Sequence, residues 1–277
     1  MAWAAAAAAF ALPVAFIGLP LGGFLLTSFF HVKGGEIVRE LTLANYVRFF
    51  TEGSFLSVLG STCLLCLGVA VLTVLIAYPV ACFIAGLKGR MRYAVLLAVV
   101  VPMLMSYIVK IYAIRAILGG NGLLNRALLA LGIVDAPVTL FVFNMNAILL
   151  TLTVLLIPFA VLPIVLSLER IPPSLMEASA DLGASRAYRF ATVTLPLSLP
   201  GVAAAASFVF VLAIGDFLTP QMVGGLAGFT FGRVIYSQFG TAFNWPFGAA
   251  LAVILCVVVV AVIALGGFAG RQRGRPA

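Results

Sequence analysis

No charged residue falls between Glu52 and Lys88, between Asp135 and Glu169, or between Arg233 and Arg271. Each of these runs is longer than the ~20 residues a helix needs to cross the hydrocarbon core of a bilayer. Charged residues make up 9% of the chain and hydrophobic ones 64%, where a soluble domain holds roughly 25% and 45–50%. A soluble fold is excluded on that ground. A lipid-facing β-barrel needs alternating apolar and polar residues, and these runs do not alternate. Helices are the remaining way to satisfy every backbone amide in lipid. The pattern predicts an all-α integral membrane protein with six transmembrane helices, at roughly 3–30, 56–86, 93–118, 139–168, 200–223 and 247–269.

Pro, Gly and charge gather between these spans, at Lys33-Gly34-Gly35, Gly119-Gly120-Asn121-Gly122 and Ile171-Pro172-Pro173. No soluble appendage is expected, so 1–277 reads as a single transmembrane domain. The first span has no basic segment before Trp3, and its apolar stretch, which includes the Ala run at 4–9, is too long for a signal peptide. It reads as an uncleaved helix.

The net charge of +8 is distributed across a membrane rather than gathered into a nucleic-acid-binding face. With the N-terminus inside, the inner segments hold Lys88, Arg90, Arg92, Arg170, Arg186, Arg189, Arg271, Arg273 and Arg275, while the longer outer segments hold Lys33, Arg39, Arg48, Arg126 and Arg233. This is the positive-inside bias. It predicts both termini, and the loop 169–200, on the cytoplasmic side.

The cysteines, Cys63, Cys66, Cys82 and Cys256, lie in apolar spans. Cys63-Leu-Leu-Cys66 has the spacing of a redox or metal pair, yet it falls in mid-helix and the chain's one histidine is His31. Small apolar packing is expected there, and no metal site. With eight acids spread along the chain, no catalytic cluster forms and an enzyme is not expected. A P-loop needs Gly before its Lys, and Lys33, Lys88 and Lys110 each lack one. Gly224, Gly228 and Gly232 have helix-dimer spacing but fall between spans, where a tight loop is expected.

The one long polar insertion is the loop 169–200. Ser174 and Glu177 are spaced as a capping box. Gly183 suits a left-handed C-terminal position, so a helix of about two turns is expected over 175–182. Leu175, Ala178, Ser179 and Leu182 would share one face and Glu177 and Asp181 another. Ser185 would cap a second short helix, and Pro196 and Pro200 would redirect the chain into the fifth span. Acids on the polar face fit docking on a soluble partner better than an inner-leaflet helix, whose polar face usually carries Lys and Arg.

The run Glu177-Ala178-Ser179, Gly183, Phe190, Leu195-Pro196 and Pro200-Gly201 resembles the EAA loop of ABC-importer permeases, with Ser179 in place of the second Ala. Flanking stretches resemble the first permease subunit of spermidine/putrescine importers: Leu43-Ala44-Asn45-Tyr46, Ser106-Tyr107-Ile108-Val109-Lys110-Ile111-Tyr112, Gly215-Asp216-Phe217, Gly232-Arg233-Val234-Ile235 and Asn244-Trp245-Pro246-Phe247-Gly248. The resemblance implies a type I importer permease fold in a bacterial inner membrane. It implies an ABC ATPase dimer that holds ATP and Mg, a second homologous permease and a periplasmic or surface solute-binding protein. No cofactor is then expected in this chain, and no nucleic-acid partner. It also implies that Glu177, Ala178, Ser179, Asp181, Leu182 and Gly183 grip the ATPase.

For the substrate path, Asp216 is the only acid inside an expected span. It either meets a cationic substrate or pairs with Lys110 or Arg115. Tyr107, Tyr112 and Trp245 could stack on such a cation or belong to the interfacial aromatic belt. Two cations near the path suit an anionic solute such as a phosphonate, so another organic ion stays open beside a polyamine. An ion-coupled secondary transporter is the rival mechanism, with Asp216 as its single support.

Overall fold

The computed structural model describes residues 11, 14–139, 141 and 143–273. The first eight residues of the predicted first span, the Ala run at 4–9 and Arg275 lie outside the described residues. The chain is predominantly helical. Among the described residues, four helices are long and apolar enough to cross a membrane: Gly53–Gly86, Met145–Glu169, Arg186–Ile214 and Trp245–Ala264. A fifth crossing follows if the bent pair Gly89–Leu104 and Tyr107–Ala130 is counted as one.

Two predicted spans differ from expectation. The third, 93–118, is not one helix. It breaks between α-helices Gly89–Leu104 and Tyr107–Leu118, with a bend of 100°. Pro102 sits in the last turn before the break, Met105 takes extended backbone and Ser106 also leaves the helical region, so the helical ladder stops. Apolar residues continue through the break, which hides it from hydropathy. The fifth, 200–223, ends at Ile214, and a short helix Leu218–Val223 follows. Asp216 therefore lies in a gap between helices and not within one.

The chain packs as two compact units. The first comprises the residues up to Gly60 together with Phe231–Ala261. Its helices are α1 (Leu19–Thr27) and α2 (Ala44–Thr51), the opening of α3 (Gly53–Gly86), α12 (Phe231–Gly240) and the first part of α13 (Trp245–Arg273). An unpredicted hairpin pairs His31–Lys33 with Glu36–Val38, in the register Lys33↔Glu36. Gly34 and Gly35 both have positive φ, the backbone a two-residue turn between right-twisted strands requires. The buried Asn45 side chain donates to the carbonyls of Ser28 (2.9 Å) and Phe30 (2.7 Å), closing the C-terminal end of α1. Phe49 is 1% exposed, and its ring meets those of Phe50, Phe55 and Phe231 at 5.0, 6.4 and 6.1 Å.

The second unit comprises Ser61–Thr230 and the residues from Val262 onward. It holds most of α3, α4 (Gly89–Leu104), α5 (Tyr107–Leu118), α6 (Leu123–Ala130) and α7 (Met145–Glu169). After these come α8 (Pro173–Asp181), α9 (Arg186–Arg189), a π turn (Phe190–Thr194), α10 (Leu195–Ile214) and α11 (Leu218–Val223). Helix α10 buries Ser198, Gly201, Ala205, Val209 and Ala213, a helical-spacing stripe of mostly small side chains that lets another backbone come close. That backbone is α7. A Cβ at Gly201 would stand 2.3 Å from Ser167 Cβ and 2.8 Å from the Pro163 carbonyl oxygen.

The expected tight glycine loop is present: the Gly228 amide donates to the Gly224 carbonyl at 2.8 Å. A Cβ at Gly228 would stand 2.3 Å from Gly224 Cα. Among the cysteines, Cys66 is buried, Cys63 and Cys82 half-buried and Cys256 exposed, and none is disulfide-bonded.

Gly201→Ala should force α7 and α10 apart and cost about 1–3 kcal/mol. A lowered melting temperature of the purified protein is the expected reading, with Ser167→Gly in the same chain restoring part of the loss.

Candidate functional site

The loop after α7 is built from backbone chemistry outward. Pro172 takes extended backbone as the N-cap of α8, and Pro173 occupies the first helical position, where its missing amide costs nothing. The helix consequently starts earlier than predicted. Ser174 falls inside its first turn, and no side chain caps it. The predicted Ser174–Glu177 capping box is thus not formed, and Glu177 stands exposed. At the other end, Gly183 has φ +77°. The amide of Ala184 reaches the carbonyl of Ser179 (3.1 Å) and that of Gly183 the carbonyl of Ala180 (2.9 Å). This is the Schellman pair, as the glycine's position predicted.

Glu177, Ala178, Asp181 and Leu182 are all exposed, Leu182 at 88%. Leu175 is exposed with them, while Met176 and Ser179 are half-buried on the inner side. Ser179, predicted to share the outer apolar face, turns its hydroxyl to the Met176 carbonyl at 2.9 Å. Behind α8 lies a cleft of about 490 Å³, lined by Cys82, Leu168, Met176, Glu177, Arg189 and Thr194. Sequence reasoning missed Met176, Arg189 and Thr194. Arg189 donates to the Met176 carbonyl at 3.5 Å, and the Thr194 hydroxyl faces the Met176 sulfur at 3.8 Å. The signal was a basic residue and a threonine one helical approach from α8, which no local pattern singles out.

Ser185 caps the following helix as predicted, accepting from the Tyr188 amide at 3.3 Å. Pro196 and Pro200 do not redirect the chain, contrary to expectation. One helix runs from Arg186 to Ile214, and the π turn Phe190–Thr194 widens it just before Pro196. A π turn absorbs the kind of register change an imino ring imposes. The Tyr78 hydroxyl meets Ser198 Oγ at 2.8 Å, joining α3 to α10. Arg92 pairs with Glu169 at the end of α7.

At the other end of α10, two helix breaks meet. Tyr107 is the first residue of α5, after the 105–106 break, and Asp216 lies in the gap before α11. The Tyr107 hydroxyl donates to Asp216 Oδ2 at 2.6 Å and lies 3.0 Å from Thr219 Oγ1. Asp216 Oδ1 accepts from the amides of Leu218 (2.8 Å) and Thr219 (3.2 Å). The carboxylate is therefore held by three donors. It forms no ion pair with Lys110 or Arg115 among the described residues. The Lys110 ammonium lies over the Tyr107 ring, 5.4 Å from its centroid, and the Arg115 guanidinium over the Phe143 ring at 5.2 Å. Thr219 is a member of this node that the sequence reading did not name. Tyr112 is 56% exposed and has no described contact with the node. Trp245 belongs to the other unit, is 51% exposed and packs on Phe239 at 5.8 Å.

The fold is thus a set of long apolar helices with a short exposed polar helix on one of its loops. Residues 77–269 match the family model described as the binding-protein-dependent transport system inner membrane component, and the chain belongs to that family. It is 33% identical over 247 residues to the spermidine/putrescine transport system permease protein PotB of Escherichia coli K12, covering 89% of each chain. It is 35% identical to the inner membrane ABC transporter permease protein YdcU of the same organism, over 84% of this chain and 79% of that one. Among solved structures, a chain of a bacterial ABC transporter that imports the acidic polysaccharide alginate superposes with TM-score 0.77. It has 17% identity and covers 99% of this chain and 96% of that one. The chain is thus a transport subunit of an ABC importer and not an enzyme.

Because Gly183 meets no atom within 4 Å of an added Cβ, its backbone angle alone restricts it. Gly183→Ala should cost about 1–2 kcal/mol, and Gly183→Asn less. Limited proteolysis between 171 and 194 should quicken in the order Gly, Asn, Ala.

Proposed function

We propose that this permease carries a polyamine, putrescine or spermidine, into the cytoplasm across a bacterial inner membrane. The chain 1–277 acts as one six-span permease domain with both termini cytoplasmic. It works beside a second homologous permease, a solute-binding protein and a separate ATPase dimer that holds ATP and Mg. The loop 169–200 is the coupling loop, with Glu177, Ala178, Ser179, Asp181, Leu182 and Gly183 at the ATPase contact. One observation carries this reading: α8 and its C-cap offer two carboxylates and Leu182 outward, while its half-buried side is tied to the spanning helix through Met176. Such a surface suits a groove on a soluble partner.

The mechanism follows from connectivity. When the ATPases close, α8 moves, and Met176 passes that movement to Arg189 and to Thr194 in the π turn. The helix Arg186–Ile214 has 29 residues and spans about 43 Å at 1.5 Å per residue. It is one element with α8 just before its start and Asp216 just past its end. Alternating access then rests on moving that rod against α7 and α3.

The polyamine assignment is supported by the names of the curated relatives and by the chemistry of Asp216, a carboxylate satisfied by neutral donors and without a salt-bridge partner among the described residues. A phosphonate or other anion has no such support at this node. A proton- or sodium-coupled carrier would not need the surface of α8.

The test is uptake of labelled putrescine and spermidine in import-deficient cells that express the chain with its ATPase, second permease and binding protein. Gly183→Asp should abolish uptake while leaving membrane insertion intact, and normal transport in that variant would sink the coupling role. Asp216→Asn should lower uptake of the amines at least tenfold. Unchanged kinetics would return Asp216 to capping α11.

A further inference from the structure

Lys110 is an ammonium inside a membrane-embedded element, and such a group ordinarily pairs with an acid or reaches for the interface. Among the described residues the ion pairs are Arg48–Glu52 and Arg92–Glu169. Lys110 takes part in neither. Its Nζ rests on the face of Tyr107, 5.4 Å from the centroid, within the distance at which a ring quadrupole attracts a cation. The same ring's hydroxyl donates to Asp216 at 2.6 Å. One aromatic side chain thus holds a resident cation on its face and a carboxylate at its edge.

The lysine side chain is a primary ammonium on a four-carbon chain, which is the chemistry of one end of a diamine. We propose that Lys110 is a tethered substitute for the substrate. Its ammonium occupies the face of Tyr107, the ring whose hydroxyl holds Asp216, and an incoming alkylammonium must displace it. Lys110 is then a specificity-determining residue. A single-charge amine gains little by the exchange. A polyamine has further charges that feel the carboxylate once the lysine has swung away. The tether keeps the resident ammonium at an effective concentration on the order of millimolar, so the path is guarded without being sealed. This inference rests on the polyamine reading above and adds to it the residue that sets the threshold.

The experiment measures binding of labelled putrescine and spermidine to the purified permease–ATPase complex without its binding protein. Lys110→Met should tighten putrescine binding by about two- to fivefold, the scale of one exposed cation–π contact. Spermidine should gain more, because the repulsion removed grows with substrate charge. Lys110→Arg, which keeps a cation able to stack, should bind both as the native complex does. Equal or weaker binding in Lys110→Met, or an equal gain for the two amines, would overturn the proposal. A Lys110→Met complex that fails to assemble is replaced by Lys110→Gln, read by the same criteria. If native binding is present and the variants leave it unchanged, the threshold role alone falls. If neither native nor variant complex binds an amine while ATP hydrolysis still responds to loaded binding protein, the polyamine reading falls and takes the proposal with it.

Discussion

The close approach of α10 to α7 at Gly201 is the contact on which the rest of the second unit depends. In lipid the hydrophobic effect does not drive helices together, and close packing of small residues supplies much of the attraction. Gly201 has no side chain to hold the Pro163 carbonyl or Ser167 away. Ser198, one turn earlier, is fully buried, and its carbonyl accepts from Ser167 Oγ at 3.4 Å while its hydroxyl meets Tyr78. Three helices are thereby registered within one turn of α10. The π turn lies in the chain between α8 and this clamp.

What could be read in the sequence, and what could not, divides by the range of the interactions involved. The charge-free runs identify α3, α7 and α13 because each is a local sum over a long window. Gly183 and Ser185 were legible because a left-handed C-terminal residue and a serine cap act on amides one turn away. The capping box failed because Pro173, one residue before Ser174, is itself a better first helical residue and shifted the start. The breaks at 105–106 and 215–217 were invisible to hydropathy. They are stabilised by the Tyr107–Asp216 hydrogen bond, which joins residues 109 positions apart. The same holds for Asn45, whose partners Ser28 and Phe30 lie across the hairpin: the sequence resemblance flagged the residue, but only the fold explains it.

Cations in this chain outnumber acids by sixteen to eight, so carboxylates cannot pair with all of them. The described structure answers with ring faces. Lys110 lies over Tyr107 and Arg115 over Phe143, while Arg48, already paired with Glu52, also lies over Phe247 at 4.4 Å. A ring face supports a cation without adding a second charge that must be stripped of water, a cost that weighs heavily in an ion pair taken out of solvent. At the node, Asp216 forms no ion pair among the described residues.

An ionised carboxylate offers about four lone-pair positions. Three donors hold Asp216: the Tyr107 hydroxyl on Oδ2, and the Leu218 and Thr219 amides on Oδ1. The two amides are the opening of α11 and cannot leave without unwinding it. The remaining position is on Oδ2, beside the Tyr107 hydroxyl, and that hydroxyl has a second partner in Thr219 at 3.0 Å. On the polyamine reading proposed above, that open position on Oδ2 is where an ammonium would arrive, with Tyr107 in place or turned toward Thr219. The carboxylate's position is thus set by the backbone amides that open α11, which starts four residues after α10 ends at Ile214.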